Sequence, residues 1–302
     1  MKRNRSLQTS TGIQGPASKR AWLFYSAFLC ISILVNAQID GGKNIHLLRP
    51  VQVCDVKIND AFWSPKFDIW SRVTVKDALA QFEKNGAFRN FDRVAGVLEG
   101  SHEGPPWHDG LIYEMIRGAS DLLVSFPDSD LEKQIDGYID RIHAAAAKDS
   151  NGYILTYTQL KEPSHRWGLN GGYERWQHDV YNAGALVEAA VHYYQATGKT
   201  RLLEVAVRFA NHMCDLMGPS PKNNIVPSHS LPEEAFVELY LLFQNNPQLR
   251  ERLDLPVDEK RYLEIAEFWL ENRGNNCGKP TTEQGDKDEP GCQKWIRDRN
   301  YG

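Results

Sequence analysis

His178 stands beside Asp179 at a predicted helix start, straight after an aromatic loop running from His165-Arg166-Trp167 to Arg175-Trp176. A neutral imidazole offers one donor and one acceptor nitrogen, so this histidine either hydrogen-bonds ligand hydroxyls or closes the helix end. His229 and Glu233 lie four residues apart across another helix start. They supply a second imidazole and a carboxylate, or only a local ion pair. Trp107 and Asp109 lead a third helix, after Pro105-Pro106. The indole suits the C–H face of a sugar ring, while an aspartate there is also a natural helix cap. Trp167 and Trp176 offer the same stacking surface and equally suit a core. Asp109, Asp179 and Glu233, all at helix starts, are also candidates for a carboxylate pair flanking a glycosidic bond, about 5 to 10 Å apart. That arrangement would make an acid/base glycosidase or glycan lyase complete within this chain.

Metal chemistry has weaker support. Cys54, Cys214, Cys277 and Cys292 include no CxxC pair, and their spacing suits no structural zinc site. Cys277 and Cys292 bracket a Gly/Pro/Asp-rich stretch and either pair as a disulfide or remain free thiols. Cys214, in an apolar helical run, reads as a core residue. The acidic cluster from Glu283 to Glu289 lacks the spaced ligands of a calcium loop and reads as a solvated insertion. No metal or cofactor is therefore expected from these residues alone.

Positioning these groups falls to helices. Apolar residues at 3.6-residue spacing predict helices over 70–83, 111–126, 130–147, 180–197, 201–217, 233–245 and 260–272. Leu186, Ala189, Ala190 and Tyr193 share one predicted face, and Leu202, Val205, Ala206 and Phe209 another. Gly198-Lys199 breaks two of the helices into a hairpin. Ahead of them, residues 51–58 alternate apolar and polar, as a half-buried strand does. Hairpins recurring without a tight repeat predict an all-α toroid rather than a regular solenoid.

The 302 residues are 41% hydrophobic and 25% charged, which excludes disordered, collagen-like and coiled-coil chains. Ala21–Val35 is a short apolar run after Lys19-Arg20, followed by Val35-Asn36-Ala37. Basic region, apolar core and small-residue exit predict a secretory signal over residues 1–37, so the mature protein is expected in the periplasm or outside the cell. Cys30 lies inside this leader, whose core falls short of the roughly 20 apolar residues of a membrane span. Beyond Ala37 the chain holds 30 Lys+Arg against 39 Asp+Glu, an acidic body that disfavours nucleic acid. Eight tryptophans favour a small-molecule or sugar partner.

Six segments in order resemble glycoside hydrolase family 127, the β-L-arabinofuranosidases. They are Asn59–Pro65, Gly104–Gly110 leading into Leu111–Glu114, Asp149–Ile154, His178–Leu186, Ala196–Lys199 and Asn272–Gly274. His178-Asp179-Val180-Tyr181-Asn182-Ala183-Gly184 stands where the family usually reads HELYCAG; in the third segment Asn151 replaces the usual aspartate. The resemblance covers about residues 45–275. It implies an (α/α)6 toroid, of which residues 45–302 would be the N-terminal part, and hydrolysis of terminal arabinofuranosyl groups from plant-derived glycans. It implies that His178 and His229 contact the sugar, with Glu233 matching a helix glutamate despite the unusual Leu231-Pro232 before it. It further implies retention through a cysteine nucleophile, a glutamate acid/base and a zinc held by glutamate and three cysteines. Cys277 and Cys292 do not match that cysteine motif, so the nucleophile and zinc ligands are expected beyond Gly302. The alternative to an enzyme fragment is a non-catalytic glycan-binding remnant.

Overall fold

A computed structural model of the chain describes residues 51 and 53–273. The predicted leader, Cys277 and Cys292, and the acidic cluster lie outside the described residues. The described chain is helical: α1 (Trp63–Ile69), a π turn (Trp70–Thr74), α2 (Val75–Lys84), α3 (Ala87–Ala95), α4 (His108–Ser125), α5 (Ser129–Ala146), α6 (Thr156–Lys161), α7 (Glu174–Gln177), α8 (Asp179–Thr197), α9 (Arg201–Leu216), α10 (Pro232–Asn245), α11 (Leu249–Arg252) and α12 (Glu259–Asn272).

These helices form a two-layered arc. The inner row is α2, α4, α8 and α10, side by side, and the outer row is α3, α5, α9 and α12, packed on its back. This is the layering of an α/α toroid, as the helical periodicity predicts. No helix among the described residues is long and apolar enough to cross a membrane.

α8 shows why the order is stable. Apolar residues occur on every side of it, and the structure buries Val180, Ala183, Leu186, Val187, Ala190, Val191 and Tyr193 alike. The sequence face of Leu186 to Tyr193 is thus only half of the buried surface. Small residues let neighbouring backbones close in. A Cβ on Gly110 would sit 2.6 Å from Asn182 Oδ1, and one on Gly184 would sit 2.6 Å from Pro232 Cγ. The Gly110 amide donates to Asn182 Oδ1 at 3.0 Å, locking α4 to α8. Gly198, with φ of 71°, ends α8 in the left-handed conformation that glycine adopts without strain.

Two expectations change. The described residues of 51–58 form no strand; Val53–Asp55 is a 3-10 turn, and the described residues hold only an isolated bridge between Met217 and Asn223. An alternating segment becomes a strand only where another strand receives its hydrogen bonds, and among the described residues none is beside it. The sequence reading also lacks α3, a short helix whose Phe88, Phe91 and Ala95 face the core.

Candidate functional site

The loop between α7 and α8 brings the aromatic and imidazole side chains together. His178 joins these two helices with φ of 61°, a conformation that costs a non-glycine residue about 1–3 kcal/mol unless its surroundings hold it. Two contacts hold it here. Glu174 turns back on its own chain and accepts the Asp179 and Val180 amides at 3.0 and 3.1 Å, capping α8. The His178 Nδ1–H donates to the Trp176 carbonyl at 2.8 Å. That bond leaves Nε2 as the acceptor on a neutral ring, and it points at His229 Nε2, 3.1 Å away.

His229 arrives from the loop before α10, which the close packing of Gly184 on Pro232 brings against α8. The two imidazoles lie nearly parallel, 5.0 Å between centres. Trp107 packs 5.1 Å from His178 and edge-on against Trp176 at 6.1 Å. Tyr181 closes the far side at 5.5 Å from His229, and its hydroxyl donates to Glu114 of α4. Burial raises the Tyr181 phenol, and the Glu114 carboxylate raises it further, so it stays a donor. Trp176 is 51% exposed and anchored through its indole N–H to Tyr157 at 3.2 Å. The result is an aromatic and imidazole surface with polar edges.

His178, His229 and Trp107 therefore meet in one place. Asp109 and Glu233 do not share it. Asp109 is fully buried and lies one residue inside α4, while Trp107 occupies the cap position, so the aspartate is neither cap nor surface group. Its carboxyl meets the Thr156 amide at 2.7 Å and the Thr156 hydroxyl at 2.6 Å. Burial, with repulsion from Asp179, lifts its pKa to about 7. Glu233 is buried against Arg273, whose guanidinium also donates to the His229 and Pro227 carbonyls. It steadies the His229 loop through that arginine.

Asp179 is equally committed, accepting from Thr158 Oγ1 at 2.6 Å, the Trp167 amide at 2.7 Å and the Tyr153 hydroxyl at 2.8 Å. Burial raises both Glu174 and Asp179 above the usual carboxylate range, and repulsion from Asp179 adds to the rise at Glu174. The helix-start carboxylates thus build the interior beneath the loop rather than a solvent-facing pair, because each finds buried donors first. Trp167, 3% exposed and packed on Tyr153 and Phe209, is core.

Several members of the site escaped the motif reading. Glu174 is one, because a side chain that caps a helix from five residues upstream has no simple spacing signature. Tyr181 and Glu114 sit inside recognised segments, but only the packing of α4 on α8 shows them touching.

The zinc implied by the resemblance requires clustered thiolates. Among the described residues Cys54 is exposed near the start, and Cys214 is buried in α9 against the Arg261 carbonyl at 3.5 Å. Burial pushes the Cys214 thiol up to about 12, the opposite of what a ligand needs. The described residues do not fit that metal.

Comparison with known proteins gives a consistent result. The profile of the β-L-arabinofuranosidase GH127 catalytic domain matches residues 55–294. A non-reducing-end β-L-arabinofuranosidase of Bifidobacterium longum subsp. longum is 30% identical over 196 residues, covering 64% of this chain and 27% of that protein. A solved GH127 β-arabinofuranosidase matches with a TM-score of 0.63 at 30% identity, over 74% of this chain and 34% of the other. The GH127 β-L-arabinofuranosidase of Geobacillus stearothermophilus T6 gives 0.63 at 26% identity, over 73% and 33%. The chain spans roughly a quarter to a third of the length of these relatives.

Proposed function

We propose, from the premise that this chain belongs to the GH127 β-L-arabinofuranosidase family, that its aromatic and imidazole surface holds a terminal arabinofuranosyl group of a glycan for hydrolysis. The observation that carries the reading is the convergence of two imidazole nitrogens, His178 Nε2 and His229 Nε2, at 3.1 Å beside Trp107.

A sugar hydroxyl is both donor and acceptor. Replacing the direct contact between the rings, it would donate to the acceptor Nε2 of His178 and accept from the donor Nε2–H of His229. The indoles of Trp107 and Trp176 supply apolar faces for the C–H side of the furanose, and the Tyr181 hydroxyl an additional polar edge. These contacts fix the orientation of the ring, which is how positioning residues lower a barrier. The leader predicted over residues 1–37 supports export, where plant-derived glycans are met.

Binding of an arabinosyl glycan without turnover is the second reading. It is favoured by the commitment of Asp109, Asp179 and Glu233 to buried partners, which leaves none of these carboxylates for general acid/base work.

Both readings predict binding. Methyl β-L-arabinofuranoside titrated into the full chain by calorimetry should bind, and His178→Ala and His229→Ala should each weaken it at least tenfold with circular dichroism unchanged. Release of p-nitrophenol from the β-L-arabinofuranoside, assayed on the longest product of the reading frame that carries this chain, separates the two: turnover supports the hydrolase, and binding without turnover supports the second reading. Unchanged affinity in both histidine variants, or no binding by the wild type, refutes this site.

A further inference from the structure

A second group of side chains lies along the inner face of the arc, well away from the His178 loop. Glu188 and His192 sit one turn apart on α8, ten and fourteen residues beyond His178, or about 15 and 21 Å along the helix. Glu238 faces them from α10 and Asp121 from α4. The ligand atoms of Glu188, His192 and Glu238 all lie within 4.8 Å of one another.

Three details separate this group from an ordinary ion-pair cluster. The His192 Nδ1–H donates to Asp121 Oδ1 at 2.6 Å, fixing the ring so that Nε2 points into the group. A carboxylate behind an imidazole is the usual support of a metal-bound histidine. Nε2 already stands 3.6 Å from Glu238 Oε2, close to the roughly 3.4 Å between two donors on a tetrahedral zinc. Finally, Glu188 Oε2 and Glu238 Oε2 are buried and accept no hydrogen bond, although Glu188 is only 6% exposed and its other oxygen pairs with Arg117. Buried carboxylate oxygens without donors are costly, and a cation between them removes the cost.

Charge points the same way. Four carboxylates, from Glu114, Asp121, Glu188 and Glu238, surround the single guanidinium of Arg117 and the ring of His192. A divalent cation offsets more of this charge than a protonated His192 does, and it binds in competition with the proton that Asp121 and Glu238 favour on that ring.

We infer that Glu188, His192 and Glu238 form a binding site for a divalent first-row cation, with Asp121 orienting the imidazole and the ion tying α8 to α10. One nitrogen and two carboxylate oxygens suit zinc or manganese, with water completing the shell. The site contains no thiolate and does not depend on the sugar-binding reading.

The test is calorimetric titration of zinc chloride into the metal-stripped full chain, with thermal unfolding as a second readout. One zinc ion per chain should bind and raise the Tm by mass action. His192→Gln and Glu238→Gln should abolish that rise, and Asp121→Asn should weaken binding about 10–100-fold. His178→Ala should leave the zinc stoichiometry and the zinc-induced rise in Tm unchanged, whatever its own Tm. Cobalt in place of zinc should give visible bands without thiolate charge transfer. Absence of binding, binding unaffected by His192→Gln and Glu238→Gln, or a thiolate charge-transfer band would each overturn the assignment.

Discussion

The buried carboxyl of Asp109 gives a prediction with a definite sign. His102 Nε2–H donates to the Pro105 carbonyl at 3.1 Å, and burial holds the ring neutral with a pKa near 4, so its Nδ1 must accept. The group facing that nitrogen is the Thr156 hydroxyl, 3.1 Å away, which also contacts Asp109 Oδ1. One hydroxyl proton cannot serve both acceptors. When Asp109 carries a proton, it donates to Thr156 and Thr156 donates to His102, so every member of the chain is satisfied. Folding therefore favours the acid form, in agreement with the rise from 3.8 to about 7. A carboxyl whose folded pKa is raised binds more protons in the native state than in the unfolded one, so its contribution to stability falls as pH rises. The loss begins near the unfolded value of 3.8 and levels off above the folded value of about 7. Over that window it amounts to about 4 kcal/mol, of which about 2 kcal/mol falls between pH 5 and 7. Asp109→Asn keeps a donor toward Thr156 and never ionises. The variant should therefore match the wild type near pH 4 and exceed it by several kcal/mol at pH 7.5. Urea unfolding of both proteins across that range measures the difference, because the other raised carboxyls are common to both. Parallel stability profiles would refute the proton count.

Two further outcomes follow from the packing. Gly184→Ala places a methyl group within 2.6 to 2.9 Å of Pro232 atoms and pushes α10 from α8; urea unfolding should show a loss of about 1–3 kcal/mol. Arg273→Ala leaves Glu233 buried without its cation, which should cost about 3–5 kcal/mol, with much of the loss recovered by adding Glu233→Gln. A double-mutant cycle checks it, and additive losses would mean that the pair is not coupled.

The arc of hairpins was legible in the sequence because each long helix carries its own periodicity. α4, α5, α8, α9, α10 and α12 all lie where the apolar spacing puts them, and Gly198 marks the turn between α8 and α9. The short α3 and the unformed strand at 51–58 were not legible, since a few residues take their structure from what they pack against. His178, His229 and Trp107 were readable as residues with useful chemistry, from their types and motif positions. Whether they meet was not, because His178 and His229 are 51 positions apart and depend on the glycine-to-proline contact between α8 and α10. Asp109 and Glu233 carry the same local signature as the histidines, yet the fold turns them inward to Thr156 and Arg273. The same holds for Glu188, His192, Glu238 and Asp121, which mean nothing in sequence until three helices set them face to face. Sequence determines which groups exist and which helix bears them, because periodicity is local. Tertiary structure alone decides which carboxylate meets a donor and which meets another acid, because that is settled by side chains distant along the chain competing for the same few ångströms.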